Sequence, residues 1–172
     1  TGEGISRFSK AADELVPLGM SFASVTYGAG GSTREGTLTA ARELKKRFKE
    51  GVPHVSCYGS DKASIFELLK TYSNDGFSRL VVLRGDLPSG YGGLGEFKNA
   101  VDLVRFVRRE FGDQFKIEVA AYPEKHPQSL SFEQDIDYFV EKVNAGADGA
   151  ITQYFYNSDA YFAFVDEVQS RG

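Results

Sequence analysis

The chain has 172 residues, 41% hydrophobic and 26% charged, enough for one compact domain with a real core. Its 24 acidic and 20 basic residues leave a net charge of −4, which excludes the basic surplus of a nucleic-acid binder. A single cysteine, Cys57, excludes an internal disulfide framework and fits a reducing compartment.

The first 15 residues are polar and helix-like rather than a signal peptide. No apolar stretch approaches the ~20 residues of a membrane span. A soluble, cytoplasmic protein is therefore expected, with neither nucleic acid nor membrane as partner.

Ile5, Phe8, Ala12, Leu15 and Val16 recur at helical spacing and predict a helix over 4–16. The β-rich run "SFASVTY" (21–27) comes next and ends in Thr26 and Tyr27. It leads into Gly28-Ala29-Gly30-Gly31, whose spacing does not match a dinucleotide fingerprint. These glycines either make a turn or let backbone lie close to a large ligand. The next strand signal is "VPHVSCY" (52–58), and the link "FKEGVPH" (48–54) leaves little room between helix and strand.

Ile65, Leu68, Leu69 and Tyr72 predict a helix over 61–73, followed by the strand "RLVVLRG" (79–85) and the Gly-rich surface loop "PSGYGGLGE" (88–96). Phe97, Val101, Val104 and Val107 predict a helix over 97–110, followed by the strand "KIEVAAY" (116–122). Ser131 with Gln134 reads as a capping box for a helix running to about Ala145. "GAITQYF" (149–155) is the last strand, and Ser158 starts the last helix.

Strand and helix alternate at roughly 30-residue intervals, which means βαβ units and a parallel sheet. The strands have apolar middles, as strands covered on both faces should. An open doubly wound sheet and a closed (β/α)8 barrel both fit this pattern. Five strands and six helices that begin and end with a helix favour one α/β-barrel domain over 1–172, an incomplete barrel lacking its first strand and its last two.

Each strand finishes in polar or aromatic residues: Thr26-Tyr27, Ser56-Cys57-Tyr58, Arg84-Gly85-Asp86, Tyr122-Pro123-Glu124 and Gln153. In parallel α/β folds these ends lie on one rim, where ligands bind. Alternation assigns Ser24 with Thr26, His54 with Ser56 and Tyr58, Val82 with Arg84 and Asp86, and Ala120 with Tyr122 to shared faces, giving an inward ring of polar groups. Such a ring is costly to bury without partners.

Each element alone has a plainer reading. Arg84 and Asp86 could form a strand-end ion pair, His54 a satisfied core histidine, and Gln153 an inward amide. The prolines of "AYPEKHP" (121–127) could simply shape a loop. Their coincidence on one rim favours a ligand.

No His/Cys cluster has zinc spacing, and no P-loop or serine elbow is present. Cys57 has no histidine base beside it. Gly-rich backbone, one strand-end arginine and several tyrosines suit a large organic cofactor.

With these residues assembled, the chain resembles the bacterial-type methylenetetrahydrofolate reductase family. The matching stretches are "VTYGAGGST" (25–33), "PHVSC" (53–57), "RGDLP" (84–88), "AAYPEKHP" (120–127), "KVNAGADGAITQYFYN" (142–157) and "YFAFVD" (161–166), in family order. The resemblance implies a TIM-like barrel that binds FAD. It also implies reduction of 5,10-methylenetetrahydrofolate to 5-methyltetrahydrofolate by NADH or NADPH, ping-pong through the flavin, in a homo-oligomer.

By the same resemblance, Thr26, Tyr27, Ala29, His54, Arg84, Gly85, Asp86, Ala100, Tyr122, His126, Asp135 and Lys142 match cofactor-binding positions. Asp86 is the catalytic match, tuning the flavin. Thr26, Asp86 and Gln153 match substrate contacts.

Tyr138 and Glu141 stand where some members carry an amide and a base, which leaves diphosphate anchoring to Lys142 and helix-terminal amides. The glutamate thought to protonate the folate is absent, and Glu3 and Glu124 do not replace it, so the 172-residue piece alone is expected to be inactive. A flavin-free lyase or aldolase using Asp86 and His54, or an inactive remnant, are the competing readings.

Overall fold

Helix and strand alternate through the computed structural model, which describes residues 2–27, 34–85 and 95–172. Helix α1 (Gly2–Leu15) leads through one 3-10 turn into β1 (Phe22–Val25). Then come α2 (Arg34–Lys45), β2 (Glu50–Ser56), α3 (Lys62–Asn74), β3 (Arg79–Leu83) and α4 (Ala100–Phe111). The chain continues through β4 (Lys116–Ala121), α5 (Phe132–Asn144), β5 (Gly149–Thr152) and α6 (Ser158–Ser170).

All strand pairs are parallel, in the order β1-β2-β3-β4-β5. Among the described residues the order never reverses, so no switch point of a doubly wound fold is seen there. It has the arrangement of successive barrel strands, five of them where the expected closed barrel has eight.

Register decides which residues face the helices. Val55, Val82, Val119 and Ala150 form one lateral row. The three valines are fully buried in one core with Ile65 and Leu69 of α3 and Leu103 and Val104 of α4. Laterally paired residues share a face, so the row His54, Val81, Glu118, Gly149 looks the other way, as do Ser56 and Leu83. This corrects the expectation that Val82 points inward with the polar ring. β3 stops at Leu83 and Gly85 turns left-handed at φ 83°, so the two-residue alternation cannot be carried on through Arg84.

The tight link between α2 and β2 rests on Gly51. A Cβ there would lie 2.7 Å from the Ala41 carbonyl oxygen and 2.8 Å from the Lys45 nitrogen. Only a residue without a side chain lets the strand start so close under its helix.

Polar side chains fix the helix starts. The Asp61, Asn99 and Ser131 side chains accept from the backbone N–H of Ser64, Asp102 and Gln134. Gln134 reaches back to the Leu130 N–H at 3.0 Å, completing a box one residue earlier than the Ser131 N–H. At α6 the cap is Asn157, which accepts from the Asp159 N–H, and Ser158 is the first helical residue rather than the cap.

Charged groups close the opposite edge of the sheet, where the strands begin. The Arg108 guanidinium donates to the carbonyls of Gly146 (2.8 and 2.7 Å), Gly112 (3.0 Å) and Phe115 (2.8 Å), and to the Asp148 carboxylate at 2.5 Å. Asp148 in turn accepts from the Ile117 N–H at 2.6 Å. One side chain thus ties the entries to β4 and β5 together. Arg79 lies between Glu50 (3.0 Å) and Glu118 (3.9 Å), stacked over the Phe22 ring at 5.0 Å.

Gly51→Ala is expected to lower folding stability by about 2 kcal/mol, read as a shift in urea midpoint at unchanged m-value. An unshifted midpoint would show that the α2–β2 link yields freely.

Candidate functional site

A cleft of about 620 Å³ opens where β3 and β4 end, between the starts of α4 and α5. Strand topology makes it. Two adjacent parallel strands finish side by side, and the starts of the helices that follow them flank the space. The walls come from the end of β3 (Arg84, Gly85), the first turn of α4 (Ala100), the residues after β4 (Tyr122, His126) and one face of α5 (Asp135, Lys142).

Gly85 is packed closely against the end of β2. A Cβ on it would lie 1.9 Å from the Ser56 hydroxyl, which itself donates to the Arg84 carbonyl at 2.9 Å. The left-handed backbone and this close approach both require glycine here. Arg84 is held on two sides. Its guanidinium lies 5.8 Å from the Tyr58 ring centroid and also donates to the Gln128 side-chain oxygen.

Across the cleft, the Tyr122 and His126 rings meet edge to face at 4.5 Å. The His126 ring Nδ1 accepts from the Gln128 N–H at 3.0 Å, which leaves Nε2 to carry the proton of the neutral ring. The carboxylate of Asp135 accepts from the His126 N–H (2.9 Å) and the Ser129 hydroxyl (2.8 Å), so it braces the loop that carries the histidine.

Lys142 is a half-buried cation on the cleft wall. Its ammonium donates to the Ala120 carbonyl, and burial pulls its pKa down to about 8 against the opposing pull of Asp135. A desolvated cation on a cleft wall gains from an anionic ligand. The starts of α4 and α5 line the same space, and their backbone N–H groups favour negative charge.

Seven of the sequence-predicted residues therefore meet in one cleft: Arg84, Gly85, Ala100, Tyr122, His126, Asp135 and Lys142. Four others do not line it. Thr26 and Tyr27 come after β1, two strands away, where the Thr26 carbonyl accepts from the Thr37 hydroxyl at 3.5 Å. His54 sits within β2 on the inward row. Its Nε2 is buried with no hydrogen-bond partner among the described residues, and burial lowers its pKa, which favours the neutral ring.

Gln153 continues the β4–β5 ladder just past β5, its N–H donating to the Ala121 carbonyl at 2.7 Å. Thr26, Tyr122 and Gln153 thus sit just past the same ends of their strands and share one edge of the sheet. Ala29 and Asp86 lie outside the described residues.

The cleft also recruits residues that the sequence pattern did not single out: Gln128, Leu130 and Asn99. Asn99 with Asp102 three residues on carried a readable capping signal, because each side chain accepts a backbone N–H of the other's turn. Nothing in the sequence marked Gln128. Cys57 is buried with its pKa pushed up to about 12, mainly by desolvation, so it is no nucleophile. Among the described residues there is no metal-holding cluster, and no helix is long and apolar enough to cross a membrane.

The sequence profile of the family "Methylenetetrahydrofolate reductase" matches residues 1–172. Among individual relatives, "Methylenetetrahydrofolate reductase (NADH) 1" of Zea mays is 35% identical over all of this chain and 31% of its own length. "Methylenetetrahydrofolate reductase 2" of Schizosaccharomyces pombe is 40% identical over 96% of this chain and 27% of its own. "5,10-methylenetetrahydrofolate reductase" of Escherichia coli (strain K12) is 39% identical over 93% of this chain and 53% of its own. The chain thus spans about half the bacterial relative and about a third or less of the plant and yeast ones.

The crystal structure of 2,3-dimethylmalate lyase, a PEP mutase/isocitrate lyase superfamily member, superposes with TM-score 0.68 over 93% of this chain and 59% of that one. At 12% identity it speaks to the fold alone.

The lowered pKa of Lys142 sets a pH signature. Between about 8 and its ordinary value near 10.5, the unfolded chain holds a proton that the folded chain has lost, so stability rises with pH across that window. Below about pH 8 the burial penalty is present in full. Urea midpoints of the wild type, measured against Lys142→Met, are expected to move in favour of the wild type between about pH 7.5 and 10. A constant gap would mean that the amine is solvated.

Proposed function

The chain belongs to the methylenetetrahydrofolate reductase family, and we propose that its protein reduces 5,10-methylenetetrahydrofolate to 5-methyltetrahydrofolate with NADH or NADPH, using FAD held along this sheet edge. FAD, when bound, supplies the hydride relay between nucleotide and folate, which makes the kinetics ping-pong. The observation that carries the reading is the meeting of Arg84 and Gly85, Tyr122 and His126, and the α5 lysine in one cleft.

The residues present fit such a group. Lys142 and the amides opening α4 and α5 would take its diphosphate. Gly85 lets the β3 end lie close against Ser56, which sets where Arg84 enters the cleft wall. Tyr122 and His126 brace each other as one wall, and Arg84 is oriented by Tyr58 and Gln128.

Thr26 and Gln153, on the strand ends to either side, would contact the substrates, and Asp86 after Gly85 would set the local charge. A carboxylate there disfavours an anionic reduced ring and favours its role as hydride donor.

The visible spectrum of the purified full-length protein tests this. Flavin bands that bleach with NADH and return with the folate are expected, and a colourless protein that FAD cannot reconstitute would exclude the reading. Lys142→Met is expected to weaken FAD binding roughly tenfold at about pH 7. It is also expected to abolish the loss of affinity that the wild type shows above about pH 8. Asp86→Asn should slow flavin reoxidation by the folate more than flavin reduction by NADH in stopped-flow traces.

A further inference from the structure

The Glu124 side chain is outside the cleft lining, yet it links the two loops that flank the end of β4. Its Oε1 accepts from the backbone N–H of Asn157 at 2.9 Å and of Tyr156 at 3.2 Å. Those amides end the segment that runs from β5 through Gln153 to the cap of α6. Glu124 itself sits in the turn after β4, between Tyr122 and His126. The carboxylate therefore joins the loop of the cleft wall to the loop of Gln153, 32 and 33 residues apart in sequence.

The turn that presents Glu124 is held in place at a cost. Its next residue, Lys125, is the one non-glycine residue with positive φ among those described, at 72°. A side-chain-bearing residue in that region stores on the order of 1 kcal/mol. The turn persists because it is tied at both ends. The Lys125 N–H donates to the Tyr122 carbonyl at 3.1 Å, and its ammonium donates to the Ser129 carbonyl at 2.6 Å. A strained turn fixed so closely aims one carboxylate at two amides of another loop, and that points to alignment between loops.

On the Gln153 side, the Gln153 N–H continues the ladder to Ala121, and its side-chain oxygen folds back on the Tyr154 N–H at 3.0 Å. Tyr154 and Tyr156 are both exposed and meet edge to face at 4.8 Å. Past Gln153, the pair of bonds to Glu124 links this segment back to the β4 side.

From this geometry we infer that Glu124 is a positioning residue: it sets the Gln153 loop relative to the Tyr122–His126 wall, and so aligns the two substrates with the cofactor. The inference rests on the function proposed above. Because Glu124 acts on the substrate side of the arrangement, its loss should leave flavin content intact and raise KM for both nicotinamide nucleotide and folate.

The test uses the full-length holoenzyme with Glu124→Ala, Glu124→Gln and Glu124→Asp. Glu124→Ala is expected to keep its flavin and to raise both KM values roughly tenfold, with kcat altered less. Glu124→Gln keeps an acceptor oxygen and should recover most of that loss. Glu124→Asp keeps the charge but is one methylene short of the amides, and should behave as Ala does. KM values unchanged in Glu124→Ala, with or without a fall in Tm, reduce the residue to a structural cap and overturn the inference. So does a Gln variant as impaired as Ala. If Ala does not fold, the Asp variant decides by the same KM criterion. Failure of the underlying function would appear separately, as a wild type that neither holds FAD nor oxidises NADH.

Discussion

Parallel hydrogen-bonding of five strands in unbroken order is the constraint on which the remaining geometry depends. It sends every strand the same way, so Thr26, Arg84, Tyr122 and Gln153 all leave the sheet at one edge although they span most of the chain. It also forces each connection to cross over through a helix, whose first turn returns beside the strand that precedes it. Two such helix starts, at Asn99 and Ser131, bring their first turns to the cleft. No single motif makes the site, which exists because pairing aligns pieces of several.

The two ends of the sheet divide the labour. At the starting edge, charged groups are consumed by structure: Arg108 meets three carbonyls and a carboxylate, and Arg79 lies between two glutamates. At the finishing edge, Lys142 is desolvated with a lowered pKa, and His54 buries a nitrogen that the described residues leave unmatched. Burial without full compensation costs stability.

Much of the fold was legible because helix and strand have different periods. Ile65, Leu68, Leu69 and Tyr72 at helical spacing, against the short valine-rich run at 79–83, leave little choice. The family motifs likewise singled out seven residues that converge on the cleft. Alternation failed where the strand did. Val82 packs against the helices in register with Val55 and Val119, and its face cannot be read back from Arg84 because β3 ends at Leu83 and the left-handed Gly85 resets the direction of the chain. Ser158 does start α6, and the capping side chain is that of Asn157 just before it, since both are good capping types and only the backbone angles choose between them. Gln128 was invisible, because its part depends on how a loop folds back towards Arg84.

The single cysteine has a practical corollary. Cys57 is fully buried, its thiol approaches the carbonyl oxygens of Arg84 and Asn99, and its ionisation is suppressed far above neutral pH. Thiol-directed dyes and spin labels should therefore pass the native chain by. A cysteine engineered onto either of the loops that Glu124 joins would be the sole reactive handle, ready for distance measurements on a background that needs no prior removal of sulfur.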